Sequence, residues 1–554
     1  MTEGQEGRKS RVIPPCLGPG IVLAVGDALG LHRSELVSLP PPIASLESRL
    51  SSSRKELRGA FRGTRERVDK GIRVVVVGGG IAGIAAATVL AEREVEVTLL
   101  EREPFLGGRA AAYPAQLPDG ETFRMERGFP AIFRQYYNLR SLLRRIDPEL
   151  RSLRTLSDYP VIGQEGTVDS FAGLPTSPPL NVIALLRRTP FVSLADLRGL
   201  DVESVRALLT FDPAKNYGAH DHETAASYLD RLALPPRARE LLFRVFCHGA
   251  FHDEGTVSAA EMLLLLHFHF LGNPEGLAFE VPEEPTSDAF FAPFFRYLSS
   301  LGVKVLLGGR AEQVCSNKGD KVLIEANAGS FEGDGAVLAL DVRGTKKLFA
   351  ASPDLSMDPE LIKGIDALKT GPSFVVFRLF LDRPADTSRP AYTAVVGNGL
   401  LDGIALFDRL EGESRRWALR TGGSVVQLWA YGVAADLADE DVRTELFTTL
   451  TKLYPELARA SVIHDVFLRD ADRPAFAPGS SALRPKVGTV YGNVSLAGDW
   501  VKLPFPTALM ERAAASGIMA ANALLDRWDV RGETVWTIPP RGFVAALAGM
   551  RFGR

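Results

Sequence analysis

The sequence predicts an α/β fold: a Rossmann-like nucleotide-binding domain with an inserted mixed-sheet and helical domain that would hold a substrate. Three observations predict it. A strand-like run of valines leads through a glycine-rich turn and an alanine-rich helix pattern to a second strand, at residues 74–101. Short strand-like runs return after residue 303, behind a long stretch of helical pattern. A strand, a Gly-Asp pair, a loop and an alanine-rich helix then follow one another at 495–525. A chain of 554 residues exceeds one ordinary core, so two or more domains are expected.

The first stretch, VVVVGGGIAGIAAATVLAEREVEVTLLEREPFLGGR at 74–109, is the most informative. Gly78 suits a sharp turn, Gly80 lets a pyrophosphate approach the backbone, and Gly83 lets the helix pack close to the sheet. The helix opening at Ile81 and Ala82 offers its unpaired N–H groups to phosphate oxygens. Glu101 follows about twenty residues on, where an acid accepts hydrogen bonds from a ribose. After Arg102, the run Gly107-Gly108-Arg109 suits a second pass by the phosphates, with glycine for close approach and arginine for charge-assisted hydrogen bonds.

Composition narrows the class. With 46% hydrophobic and 24% charged residues the chain is of the folded, soluble type. A net charge of -3 gives no case for nucleic-acid binding. Cys16, Cys247 and Cys315 are too few and too scattered for a disulfide framework or a cysteine metal site, which suits a reducing compartment. The charge-free apolar run at 74–91 holds the glycine turn and is not expected to span a membrane; MLLLLHFHF at 262–270 is too short to do so. The N-terminus lacks the layout of a signal peptide.

The remaining segments follow in order. Residues 1–70 form an accessory extension, broken by prolines and basic from 49 to 70, either a solvated helix or a segment attracted to anionic lipid. Residues 71–160 hold the first part of the nucleotide domain. Residues 161–300, rich in Leu and Phe, show helix patterns at 225–232, 238–246 and 258–270 between turns at Pro175, Pro178, Pro179 and Pro190. They would wall an apolar cavity, face a membrane, or simply form core. The nucleotide domain resumes over 301–350, with strands at 303–307, 309–314, 322–326 and 335–340. A second sheet, with strands at 374–381 and 425–430 and a helix at 439–453, occupies 351–485. Residues 486–530 return to the nucleotide domain with SLAGDW and PTALME. There Asp499 can hold a ribityl or phosphate-linked hydroxyl, and the following helix N-terminus can face a flavin ring that gains charge on reduction. The tail, 531–554, sets apolar residues between arginines and could lie at a membrane interface.

VVVVGGGIAGIAAATVL, EREPFLGGRA and LAGDW with PTALMERAAASG together resemble the FAD-dependent carotenoid desaturases and the wider amine-oxidase-like flavoproteins. RGFPAIFRQYYNLRSLLRR and SAAEMLLLLHFHFLGNPEGLAFEVP are similar to the isorenieratene synthase group, the β-carotene desaturase/methyltransferases. The resemblance runs from about residue 74 to 538 and implies FAD as cofactor. It places FAD contacts at Gly78, Gly80, Ile81, Ala82, Gly83, Glu101, Arg102, Gly108, Arg109, Val314, Gly498, Asp499, Ala508, Leu509 and Met510. It further implies an apolar, β-carotene-like substrate, whose β-ionone ring becomes aromatic by desaturation with the shift of one geminal methyl group. Pro130 stands where that pattern usually has histidine.

A carotene has almost no polar handle, so its site is expected to be a long apolar tunnel. Burial of roughly 400 Å² would supply on the order of 10 kcal/mol before ordering costs. No residue is assigned as catalytic. His248 and His252 would share a face if their stretch is helical. His267 and His269 look like packed core histidines, and Glu261 could pair or cap. No metal site is expected, since the HExxH pattern is absent. No second GxGxxG marks a resident NADPH, so electrons would leave to oxygen or a membrane quinone. The expected setting is cytoplasmic, peripherally attached to a membrane. Alternative readings are a desaturase or cis–trans isomerase of an acyclic carotenoid, an amine oxidase of a small polar substrate, and a flavoprotein that only binds carotenoid.

Overall fold

The computed structural model describes residues 55–56 and 63–541, apart from 157–158, 171–172, 175–179, 190–195, 241–247, 274, 277–278 and 317–320. Most of the N-terminal extension and of the tail, the turns at Pro175, Pro178, Pro179 and Pro190, most of the helix expected at 238–246, and Cys16 and Cys247 thus lie outside the described residues.

Four successive valines suit a strand buried on both faces. They form β1 (Arg73–Val77), which runs into α1 (Ile81–Ala91) and β2 (Glu96–Glu101). Three later strands join them: β3 (Lys304–Leu307), β4 (Gly335–Leu338) and β5 (Val494–Leu496). All five are parallel, in the order β3-β2-β1-β4-β5, with Val75 opposite Thr98 and Val76 opposite Val337. This is the doubly wound order, and it opens a crevice where the connections diverge on either side of β1. The chain returns to it twice, from opposite sides of the insertion.

α1 is buried all round, because the sheet covers one side and α2 (Leu509–Arg527) covers another. Small residues make that crossing close. A Cβ on Gly517 would stand 2.1 Å from the Ala82 carbonyl oxygen and 3.0 Å from the Ala85 methyl.

The second sheet has seven strands, in the order Val462–Asp470, Ser373–Leu381, Ser424–Val433, Gly403–Leu406, Tyr392–Val395, Pro160–Ile162, Val168–Ser170. It is antiparallel except where Tyr392–Val395 meets Pro160–Ile162. Strand Ser373–Leu381 shows why both faces are covered. Val375, Phe377, Leu379 and Leu381 pack on an aliphatic cluster with Leu446 and Leu450 of helix Asp439–Leu453. Phe374, Val376 and Phe380 point the other way, into an aromatic cluster with Trp417 and Trp429. The last two short strands, Pro160–Ile162 and Val168–Ser170, lie at or just inside the start of the span 161–300, for which mainly helices were expected. With three residues each they are too short to show an alternating pattern.

The rest of that span is largely helical, with Leu180–Arg188, Val202–Leu209, Pro213–His220, Ala225–Leu232 and Ala259–Leu266. The last widens into a π-helical turn, His267–Leu271. The described end of the extension is integrated with the body: Lys55–Glu56 pairs with Trp536–Thr537, and Val68 is buried in the main core. Among the described residues no helix is long and apolar enough to cross a membrane.

Candidate active site

The C-terminal ends of β1, β2 and β4 and the N-termini of α1 and α2 open on one cavity of about 980 Å³. That is the upper end of ordinary ligand pockets, roughly 300–1,000 Å³. Its two halves differ in chemistry.

The first half is a glycine cradle. Gly78 has φ +106°, and a Cβ there would stand 2.4 Å from the Ala339 carbonyl oxygen. A Cβ on Gly83 would come within 1.7 Å of the Gly78 carbonyl, so the turn can close on α1 only with glycine at both places. Gly80 differs: nothing lies within 4 Å of its would-be Cβ, which leaves open space beside the uncapped start of α1. The second glycine pair stacks on this turn. Gly107 N–H donates to Gly79 O at 2.8 Å, and Gly108 packs against the Gly80 Cα. Glu101 is buried, and its two oxygens accept from Gly79 N–H (2.6 Å) and Glu103 N–H (2.8 Å). It lines the cavity and fixes the glycine turn, and burial raises its carboxyl above the usual range.

Opposite lies a set of charges from distant segments. Arg109 donates to Asp499 Oδ1 (2.6 Å) and to the Asp472 carbonyl (3.1 Å). Arg127 donates to Asp470 Oδ2 at 2.7 Å. Arg473 stacks on Phe251, and burial together with Arg109 pulls it down to about 10. α2 starts at the cavity with Leu509 in the left-handed region and no side chain capping its N-terminus.

The second half is aromatic. Phe129 stacks on Tyr392 with ring centroids 4.2 Å apart and meets Trp429 and Phe279 edge-on. Tyr159, Phe133, Phe251 and Tyr431 extend this wall. Two π-helical turns, His267–Leu271 and Ser287–Phe291, aim His269, Phe290 and Phe291 into the cavity. Such turns recur at functional sites because they redirect side chains out of the helical series. Pro130 lines the cavity next to Phe129 in the chain and brings no polar side-chain atom there.

Of the residues expected to touch a cofactor, Gly78, Gly80, Ile81, Ala82, Glu101, Arg102, Gly108, Arg109, Gly498, Asp499, Leu509 and Met510 line this one cavity. Gly83 and Ala508 lie just behind it, the first under the turn, the second as the N-cap of α2. Val314 is not brought to the wall. A bulge shifts the register between Ala311 and Gln313, and the Val314 N–H is spent on Ser352 Oγ at 2.8 Å. Ala311 and Glu312 line the cavity instead. Gly107, the first of the paired glycines, lines the cavity as well; residues the sequence reading missed include Asp341 and Lys347, signalled by a strand ending in an N-cap aspartate. Arg127 opens the segment RGFPAIFRQYYNLRSLLRR but is not assigned a contact there, and nothing local to Asp472 or Arg473 announces them.

The titratable candidates separate. His248 and His252 do not share a helix face: the chain turns between them, with Phe251 at φ +64°. His252, His267 and His269 are buried, and desolvation brings each to about 4. His267 stacks on Phe211, and His269 Nδ1 meets the Leu265 carbonyl. Glu261 lies in a buried ion network with Arg512, Arg484 and Tyr217. Among the described residues no cluster could hold a metal.

The cavity suits a flavin dinucleotide. The turn closes only with glycine at 78 and 83, Gly80 leaves open space where a phosphate would pass, and two helix N-termini that no side chain caps face that space. Residues 81–525 match the model of the flavin-containing amine oxidoreductases. The chain belongs to that family. Within it, the chain is 45% identical to a carotenoid phi-ring synthase of Streptomyces griseus over 86% of its own length and 92% of that relative. It is 27% identical to the carotenoid phi-ring synthase of Chlorobaculum tepidum, over 85% and 91%. A putrescine oxidase structure shares the fold, with a TM-score of 0.60 at 15% identity over 82% and 99% of the two chains. This member of the amine oxidoreductases is therefore an FAD-dependent oxidoreductase of the carotenoid desaturase group, with an α/β FAD-binding fold.

One cavity-lining acid of the enzyme has a testable titration. Glu126 is buried, with its oxygens on Thr286 N–H and Oγ1, both at 2.9 Å. Burial raises its carboxyl to about 7, against 4.5 when exposed. The folded value is the higher, so its stabilisation is complete below about pH 4.5 and is lost as pH rises through about 7. Glu126→Gln keeps the shape without the charge. Its stability relative to wild type is expected to improve by up to about 3 kcal/mol between pH 4.5 and 8, read as parallel melting curves across pH.

Proposed function

We propose that this enzyme converts the β-ionone ring of a β-carotene-like carotenoid to an aromatic end group, desaturating the ring while one geminal methyl group shifts to the neighbouring carbon. One observation carries the reaction: the 45% identity, over 86% of this chain and 92% of the relative, to a protein named a carotenoid phi-ring synthase. The geometry supports it through a single cavity that joins a glycine and arginine cradle to an aromatic wall.

In this reading Gly78, Gly80, Ile81, Ala82, Gly108 and Arg109 hold the dinucleotide, Glu101 the ribose, and Gly498, Asp499, Leu509 and Met510 the flavin end. Bound FAD supplies the hydride acceptor. The chain orients the ring and keeps water out. Phe129, Tyr392, Phe279 and Tyr159 bury the polyene end, and their π-faces stabilise positive charge developing on the ring. Pro130 leaves that contact without a side-chain donor or base. A lipid-soluble substrate places the enzyme at a membrane surface, with oxygen or a quinone as final acceptor.

Expression in a host that makes β-carotene tests this. The expected pigment has lost four hydrogens per converted ring at unchanged carbon count, read by mass and absorbance. Unchanged β-carotene beside folded, FAD-loaded protein would sink the reading.

A further inference from the structure

Hydride transfer separates charge: the substrate ring is left positive, and the acceptor takes up a negative charge. Three of the arginines at the cavity are hydrogen-bonded to acids. Arg109 donates to Asp499, Arg127 to Asp470, and Arg343 to Asp470 and the Ala471 carbonyl. Arg473 is placed differently. It lines the cavity, and its guanidinium lies over Phe251 at 4.5 Å and over Phe374 at 5.3 Å. Among the described residues its N–H groups make one hydrogen bond, from Nη2 to the Arg127 carbonyl at 3.4 Å, and the buried Nε has no hydrogen-bond partner. Asp472 Oδ1 stands 3.6 Å from that Nε, an ion pair beyond hydrogen-bond reach. The backbone here is held: the Arg473 carbonyl accepts the Gly371 N–H at 2.7 Å, and the Ala475 N–H donates to the Lys369 carbonyl at 2.8 Å. On one side of Arg473 the Asp472 carbonyl and Asp499 bind Arg109, at the end of the cavity given above to the flavin ring. On the other, Phe251 meets Tyr431 edge-on in the aromatic wall. A guanidinium with unused donors thus stands where the cradle meets the wall. Burial and Arg109 draw it down only to about 10, so it is charged at neutral pH.

We propose that Arg473 is the cation that stabilises the negative charge FAD takes up with the hydride. The proposal rests on the placement of the flavin end at Asp499, and not on which ring product forms. In the step, a ring C–H bond breaks and both of its electrons leave with the hydrogen to FAD. One negative charge therefore appears on FAD and one positive charge on the ring. A cation already fixed beside the first offsets it without reorganisation, and the two phenyl faces keep the guanidinium in place. Its unused N–H groups are free to donate charge-assisted hydrogen bonds to the oxygen and nitrogen atoms that gain charge. Charge beside the flavin ring is one of the means by which a protein tunes that ring.

The reduction potential of the bound flavin reads this without any turnover of carotenoid. FAD-loaded wild type, Arg473→Gln and Arg473→Lys are titrated anaerobically against a reference dye. Flavin content, and quenching of tryptophan fluorescence by β-carotene in phosphatidylcholine vesicles, serve as binding controls. Arg473→Gln is expected to keep both, since the phosphate cradle lies elsewhere, and to be about tenfold or more harder to reduce, a fall of about 30 mV for a two-electron couple. Arg473→Lys keeps the charge and should recover most of the potential; a residue that only filled the space between Phe251 and Phe374 would not be rescued in this way. Should Arg473→Gln not fold, Arg473→Met takes its place, with the same expected fall. An unchanged potential in the neutral variant, a fall that lysine does not relieve, or the loss of FAD or of the fluorescence quench from the neutral variant would overturn the proposal. Asp499→Ala tests the placement on which it rests. An Asp499→Ala protein that keeps FAD at the wild-type potential would overturn that placement, whereas one that loses or shifts its flavin leaves an unmoved Arg473→Gln as evidence against Arg473 alone.

Discussion

Gly80→Glu is expected to give a folded protein that purifies without FAD. The Gly80 Cβ position faces open space, so the backbone accepts a side chain at no steric cost. The new carboxylate, however, enters the volume where the turn and the start of α1 would receive a pyrophosphate. Like charges about 4 Å apart near a protein surface repel by about 4 kcal/mol, roughly a thousandfold in affinity. The measurement is flavin absorbance per protein, beside circular dichroism. Gly83→Val is the contrast. Its Cβ would meet the Gly78 carbonyl at 1.7 Å, so it should cost the fold itself. A yellow, FAD-replete Gly80→Glu protein would show that the phosphates lie elsewhere.

The second large effect is expected away from the cavity. Glu261, on helix Ala259–Leu266, accepts from Arg512 on α2 at 2.5 Å and from Tyr217 at 2.5 Å, with Arg484 at 3.6 Å. All four are buried or nearly so, and Arg512 also donates to the Thr507 carbonyl just before α2 and to the Asp499 carbonyl after β5. The network thus fastens the helical insertion to the end of α2 that faces the flavin site. Glu261→Ala leaves two guanidinium groups buried without their counter-ion, which costs about 3–5 kcal/mol. The two arginines also hold the Glu261 carboxyl at about 2, below its unfolded 4.5. Its contribution is therefore present above about pH 4.5 and lost as pH falls towards 2. The gap in melting temperature between variant and wild type should be full at pH 7 and shrink under acid. A loss of unfolding free energy below about 1 kcal/mol at pH 7 would show that the pair is not formed.

The nucleotide half was legible because its needs are local. A buried parallel strand wants valine, a turn with positive φ wants glycine, and a helix that crosses another closely wants alanine; residues 74–101 and 509–525 meet these demands in sequence order. Val314 was misplaced because one extra residue in a strand changes what the next positions face, and the bulge at Ala311 leaves no sequence mark. Arg127, Asp472 and Arg473 were missed for a different reason. They meet Arg109 and Asp499 only after three segments fold together. The aromatic wall is equally non-local: Phe129, Phe279 and Tyr392 come from a loop, a short strand and the second sheet. Helical spacing suggested a shared face for His248 and His252, and the left-handed turn at Phe251 parts them.

In the proposed reaction one cavity brings FAD and a carotenoid ring together for hydride transfer. Anaerobic mixing of the FAD-loaded enzyme with β-carotene vesicles tests it most directly, followed at the flavin absorbance band in a single turnover. The expected result is bleaching of the flavin in step with loss of β-carotene, absent from vesicles without carotene. A flavin that stays oxidised while the fluorescence quench shows carotene bound would contradict it.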